Sequence, residues 1–302
     1  MLKAAAPAPG SRDNETGMLM MVTAMLMVPG IDAFAKVLTQ TMPSGEIAAA
    51  RFVFQSVLLA PLMLFRPRRT AGLGLLPNAL RGGLLAAATL LFFSALAYMP
   101  LAETVAIFFV EPLILTLLSV PLLGEKIGWR RIVAISVGLA GAMIVIRPSA
   151  ALFGLAAFLP LGAATCFAFY LILTRRLAPS GDAVTMQFLA GVFGALIMAV
   201  ALVIGSFAGI AVLDPVMPDG REFLMLAGLG VIATIGHQLV VLALRRASAG
   251  LLAPFQYLEI VSATILGYLV FAEFPGPTTW LGIVLIVLSG VYVFHRERRL
   301  KG

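Results

Sequence analysis

The sequence predicts an all-α integral membrane protein of ten transmembrane helices, arranged as two inverted five-helix repeats. Three observations carry that reading. Of the 302 residues, 61% are hydrophobic and only 12% charged, with a mean hydropathy of +1.05. Soluble domains carry about 25% charged residues, and no soluble core could hide this much apolar surface. The apolar residues come in runs long enough to cross about 30 Å of hydrocarbon. The basic residues fall on alternate sides of those runs.

The runs lie at about 18–39, 45–65, 79–99, 101–123, 129–147, 152–174, 183–208, 222–244, 249–271 and 279–295. Loop chemistry separates them: Met42-Pro43-Ser44-Gly45, Arg66-Pro67-Arg68-Arg69, Met99-Pro100, Arg147-Pro148-Ser149, Pro179-Ser180-Gly181 and Pro275-Gly276-Pro277. The first 17 residues lack an apolar h-region, so the run from Met18 reads as an uncleaved first helix.

With the N-terminus placed in the cytoplasm, seventeen of the 21 Lys and Arg residues, Arg81 among them, fall in inside segments. Only Arg147 and Arg221 fall outside, while Lys36 and Arg51 lie within spans. That split is what the positive-inside rule requires of ten helices with both termini cytoplasmic. A net charge of +7 distributed in short clusters does not form the continuous basic face of a nucleic-acid binder.

The chain also resembles itself. Pro43-Ser44-Gly45 and Arg51-Phe52 return 136 positions later as Pro179-Ser180-Gly181 and Gln187-Phe188. Glu111 and Glu125, fourteen apart, return as Glu259 and Glu273. Five helices per repeat is an odd number, so the second repeat must enter the membrane inverted. Inverted repeats are a device of secondary transporters, whose solute binds near midplane between the halves. The expected organisation is a cytoplasmic tail over 1–17, a first repeat over 18–147, a second over 152–295 and a basic cytoplasmic tail over 296–302.

Ionisable groups at membrane depth cost several kcal/mol and need a reason. Asp32 and Lys36 share one face of the first helix, either as a structural ion pair or with one of them facing a water-filled cavity. Pro29-Gly30 just before them predicts a break that would line such a cavity. Glu111-Pro112 in the fourth helix and Pro254-Phe255-Gln256-Tyr257-Leu258-Glu259 in the ninth pair a proline interruption with a carboxylate at corresponding positions. Interrupted segments placed so are the best sequence pointer to a transporter site; bracing of neighbouring helices is the alternative. Arg51 on the second helix and His237-Gln238 on the eighth complete the polar set. Among the aromatics, Tyr98, Tyr170 and Tyr257 carry hydroxyls that need partners, whereas most phenylalanines read as packing or lipid-facing.

The residues expected to line or support the solute site are therefore Asp32, Lys36, Arg51, Tyr98, Glu111, His237, Gln238, Gln256, Tyr257 and Glu259. Glu125 and Glu273, at helix ends, are expected to anchor or gate. Stretches such as Gly138, Ala140, Gly141 and Ala142, or Gly191, Gly194 and Ala195, permit close helix contact. A single cysteine, Cys166, and two histidines, His237 and His295, do not make a metal site. No G-x-x-x-x-G-K-[ST] loop is present, and no cofactor is called for. A multi-spanning enzyme acting on lipid would need a catalytic cluster at one interface, and no Ser/His or His/Asp cluster occurs in any loop.

The Glu111-Pro112-Leu113 segment leading to Leu122-Leu123-Gly124-Glu125, with Gln256-Tyr257-Leu258-Glu259 leading to Glu273, resembles the drug/metabolite transporter superfamily. Within it the chain is similar to the bacterial EamA type with two tandem repeats, over about residues 18–295. Asp32-Ala33-Phe34-Ala35-Lys36 followed by Arg51-Phe52 resembles a subgroup that includes riboflavin and S-adenosylmethionine uptake carriers. The resemblance implies a multi-pass carrier of the bacterial inner membrane, working by alternating access as a monomer or homodimer. Uptake of riboflavin or a similar planar vitamin is the first expectation, with export of amino acids or related metabolites and S-adenosylmethionine uptake beside it. The buried carboxylates add the expectation of a coupling proton or ion.

Overall fold

The computed structural model describes residues 11–64, 74–123, 128–177, 182–247, 252 and 255–301. Among these there are helices and no strands. In chain order they are α1 (Ser11–Leu38), α2 (Ser44–Leu64), α3 (Leu75–Leu96), α4 (Leu101–Phe108), α5 (Glu111–Leu123), α6 (Trp129–Phe153), α7 (Leu159–Leu177), α8 (Ala183–Phe207), α9 (Gly220–Arg246), α10 (Leu258–Phe271) and α11 (Pro277–Lys301). Among the described residues, seven helical stretches are long and apolar enough to cross a membrane; one of them is the 46-residue run Ile132–Leu177. Leu258–Phe271 and Pro277–Tyr292 are apolar but shorter. The chain is a multi-pass membrane protein.

Its surface is inverted relative to a soluble fold. Leu19, Val57, Leu75, Val203 and Leu288 face outward, while Asp32, Arg51, Gln55, Thr89 and Glu111 are buried. Lipid is as apolar as a core, so polar groups gain only by turning inward, toward partners or water.

Three expectations about breaks and loops are corrected. Helix α1 continues through Pro29-Gly30 without interruption. Pro29 has no N–H to give the Met25 carbonyl, and Ser262 of α10 donates its hydroxyl to that oxygen at 2.7 Å. A distant side chain thus supplies what the proline removed, and the helix holds. Arg147-Pro148-Ser149 is not a loop but lies within α6, which runs on to Phe153. A turn of 3₁₀ helix, Gly154–Phe158, then leads into α7. Arg81 is no loop cation: it lies on α3 and is 1% exposed. It donates to Thr174 Oγ1 at 2.9 Å, Asn78 Oδ1 at 3.2 Å and the Met186 carbonyl at 3.2 Å. The helices also outrun the apolar runs at both ends, beginning at Ser11 and ending at Lys301.

Helix pairs set the bundle. Helix α1 packs on α9 and α10, α3 on α7 and α8, α2 on α8 and α9, α5 on α7, and α6 on α11. Small residues allow the closest crossings. A Cβ built on Gly141 would lie 3.0 Å from the Gly282 carbonyl, and one on Gly282 would lie 2.7 Å from the Gly141 carbonyl. Backbone cannot yield as a side chain can, so Gly282→Val is expected to force α6 and α11 apart, at a cost of about 1–3 kcal/mol or more. The check is the thermal unfolding midpoint of the detergent-solubilised protein, which should fall while expression of Gly276→Ala, at an open position, stays normal.

Candidate functional site

The fourth apolar run is folded as two helices, and the reason is local. Pro112 cannot donate to the Phe108 carbonyl. Helix α4 ends in a tight turn, with Val110 N–H on the Ile107 carbonyl at 3.2 Å. The N–H groups of Leu113 and Ile114 then converge on the Val110 carbonyl at 3.0 and 3.1 Å, starting α5 afresh. In the second half a turn at Tyr257, with Ile260 N–H on its carbonyl at 3.2 Å, precedes α10. Each restart carries a carboxylate in its first turn, Glu111 in α5 and Glu259 in α10, where the positive end of the helix dipole favours it. Phe109 and Tyr257, two residues before those carboxylates, stack on each other at 5.5 Å between ring centres.

Beside these restarts lies a cavity of about 250 Å³. Asp32 from α1, Arg51 from α2 and Thr89 from α3 line it, with Glu111, His237, Gln256 and Glu259. Phe92 and Phe93 of α3, Phe108 and Phe109 at the α4 break, and Phe167 of α7 supply its aromatic part. Phe92 meets Phe108 edge-on at 5.2 Å, Phe108 meets Phe167 at 5.6 Å, and Phe167 meets Tyr170 at 5.4 Å. That is a continuous run of aromatic rings from three helices, in a lining that also holds the polar groups.

The polar groups differ in how far they are satisfied. Arg51 donates one N–H to Thr89 Oγ1 at 2.5 Å and lies over the Phe52 ring at 5.0 Å. His237 has Nδ1 2.7 Å from the Ala233 carbonyl, which requires the ring proton on that nitrogen. Glu111 is 9% exposed, and its Oε1 is the one buried side-chain polar atom without a partner among the described residues.

Six of the ten residues expected from sequence line this cavity, and four do not. Lys36 is the main correction: it does not pair with Asp32. Its ammonium reaches away from the cavity to the Met99 carbonyl at 2.6 Å and to both Glu273 oxygens at 2.7 and 2.8 Å. Glu273 Oε2 also accepts the Leu101 N–H at 3.1 Å. Tyr98 sits at the α3–α4 turn and is 56% exposed. Gln238 donates to Gln187 Oε1 at 3.3 Å, and Tyr257 packs its hydroxyl against Gly290. Glu125 and Pro254 lie outside the described residues. The cavity phenylalanines reverse the expectation that tyrosines would supply the aromatic lining, and Thr89 carried no signal at all. A threonine among alanines and leucines becomes notable only once Arg51 is seen opposite it.

The sequence pattern of the EamA-like transporter family matches residues 15–147 and again 154–294. The chain is 30% identical to the "Riboflavin transporter" of Vibrio cholerae, over 94% of each protein. It is 27% identical to the "S-adenosylmethionine uptake transporter" of Rickettsia felis, over 89% of this chain and 88% of that one. A solved structure titled only "Crystal structure of protein" shares the fold, with a TM-score of 0.62 at 23% identity over 94% of this chain and 98% of that one. With a buried cavity flanked by two restarted helices, and two successive matches covering nearly its whole length, the chain belongs to the EamA-like transporter family.

Proposed function

We propose that the protein takes up riboflavin or a similar planar heteroaromatic metabolite across the bacterial inner membrane, by alternating access between two inverted halves. The observation that carries the solute class is the cavity itself. Its lining combines a run of aromatic rings in edge and tilted contact, suited to a flat ring system, with a set of polar groups. Similarity to a riboflavin transporter along 94% of the chain points the same way.

Ten spans are the natural reading of the helices. Ile132–Leu177 is two spans joined at Gly154–Phe158, and the shorter α10 and α11 are two more. The packing supports a two-fold relation between 18–147 and 152–295, and with five spans in each half that relation is an inversion. Exchanging the halves turns the α1–α9 pair into α7–α3, α2–α9 into α8–α3, and α1–α10 into α7–α5, and all of these pairs occur. Both termini are then cytoplasmic, and a coupling proton would be carried on the cavity carboxylates.

The test is growth of a riboflavin auxotroph lacking its own importer on low micromolar riboflavin. Expression of this chain should restore growth, and failure to do so with the protein present in the inner membrane would sink the riboflavin reading. One observation favours a second solute. Asp32, Glu111 and Glu259 outnumber Arg51 in the lining, which suits a cation such as S-adenosylmethionine, so a strain dependent on imported S-adenosylmethionine belongs in the same panel.

A further inference from the structure

The cavity lining is rich in hydrogen-bond acceptors and poor in fixed donors. The carboxylates of Asp32, Glu111 and Glu259 can only accept when ionised, and His237, with Nδ1 committed to the Ala233 carbonyl, presents an acceptor at Nε2 in the neutral ring. Against these stand the Gln256 amide, the Thr89 hydroxyl and the Arg51 guanidinium. Arg51 is 6% exposed, yet among the described residues it makes one hydrogen bond, to Thr89, and no ion pair within 4 Å; the ion pair among those residues is Lys36–Glu273, away from the cavity. A guanidinium has five N–H groups. A buried cation with donors to spare, on the wall of a cavity, is held ready for something that enters it.

The other buried cations are not in that condition. Lys36 is bound to Glu273 and the Met99 carbonyl. Arg81 makes three hydrogen bonds, lies over Tyr170 at 5.3 Å, and is not part of the lining. At the position corresponding to Arg51 in the second half stands Gln187. Its side-chain oxygen accepts from Gln238 and its backbone oxygen from Gln55. The two halves therefore differ: Arg51 lines the cavity, whereas Gln187 is held by Gln238 and Gln55 and is not among the lining residues.

We infer that Arg51 is the anchor for the solute: the acceptor-rich edge of the molecule, either a ring edge with two carbonyl oxygens or a carboxylate, docks on its free N–H groups. The inference rests on the cavity being the solute site. The asymmetry between Arg51 and Gln187 makes a solute with unlike ends bind one way round. Its donor groups, hydroxyls or amines, then meet Asp32, Glu259 and His237, while its flat part lies along Phe92 and Phe108. Thr89 and the Phe52 ring face hold the guanidinium plane, and a planar fork fixes a two-oxygen edge in a way that an ammonium does not.

The experiment measures binding and uptake by the full-length chain in lipid nanodiscs and proteoliposomes. Riboflavin, read by its own fluorescence, carries the carbonyl-edge form of the acceptor; S-adenosylmethionine carries the carboxylate form, and its decarboxylated analogue lacks it. For Arg51→Gln the riboflavin Kd and KM should rise roughly 10- to 100-fold, the range of a charge-assisted hydrogen bond, with maximal rate and thermal stability near wild type. Arg51→Lys should fall between, and Thr89→Val should weaken binding less than Arg51→Gln. If wild type instead binds S-adenosylmethionine and not riboflavin, the riboflavin reading fails. The anchor then stands only if wild type prefers S-adenosylmethionine over its decarboxylated analogue about tenfold or more, and Arg51→Gln abolishes that preference. Equal affinity of wild type and a folded Arg51→Gln variant for the bound solute overturns the anchor, whichever solute it is.

Discussion

Replacing Lys36 by Met is expected to open the end of the bundle formed by the C-terminus of α1, the α3–α4 turn and the α10–α11 turn. Lys36 ties all three together, through the Met99 carbonyl and the Glu273 carboxylate, and Glu273 in turn holds the Leu101 N–H. Its partners lie in both halves of the chain. Hydrogen bonds to charged groups contribute about 1.5–3 kcal/mol each. The side chain of Glu273 is 29% exposed, which weakens the pair toward the lower value. Loss of about 2 kcal/mol shifts the balance between closed and open forms roughly 30-fold.

The measurement is a distance distribution between spin labels on Gln40 and Thr278, both exposed, with Cys166 replaced by Ser. In wild type the distribution should be narrow and short; in Lys36→Met it should broaden and lengthen. The charge-swapped double variant Lys36→Glu with Glu273→Lys tests the geometry more sharply. It restores opposite charges but sets a carboxylate against the Met99 carbonyl and an ammonium against the Leu101 N–H. Closure should therefore recover less than half. Full recovery would mean that the end is held by charge alone and that the backbone contacts contribute nothing.

This clasp also shows where the sequence stops being informative. The all-helical, membrane-embedded character could be read because lipid acts as the solvent and apolar runs fill most of the chain. Buried charge could be read because Asp32, Arg51 and Glu111 have no business in hydrocarbon without a reason. Partners could not. Lys36 and Glu273 are 237 positions apart, and helical spacing offered Asp32 as the nearer choice. The proline rule failed for the same reason: Pro29 and Pro112 look alike in sequence. One helix runs on because Ser262 satisfies the Met25 carbonyl from another helix; the other restarts at Glu111. The aromatic wall was hidden by abundance, since the five cavity phenylalanines are drawn from 20 in the chain and nothing local marks them.

Glu111→Gln is expected to leave the protein folded and able to exchange solute, while abolishing net uptake driven by a proton gradient. The substitution is nearly isosteric. Oε1 of Glu111 is buried at the start of α5 without a donor, on the wall that also holds Asp32, Arg51, His237 and Glu259. Leaving a buried acceptor unsatisfied costs about 1–3 kcal/mol, and more if it is charged. A proton on the carboxyl removes the charge; an amide does so permanently and cannot release it. If Glu111 carries the coupling proton, the amide variant resembles the carrier with its proton locked in place. Counterflow, in which labelled solute outside exchanges for unlabelled solute inside, needs no net proton movement and should stay within about threefold of wild type. Uptake against a solute gradient should drop by at least tenfold, as expected when a step worth more than about 1.4 kcal/mol is lost. Loss of counterflow together with uptake would show instead that Glu111 holds the solute or the fold, and Glu259→Gln would then become the variant on which proton coupling stands or falls.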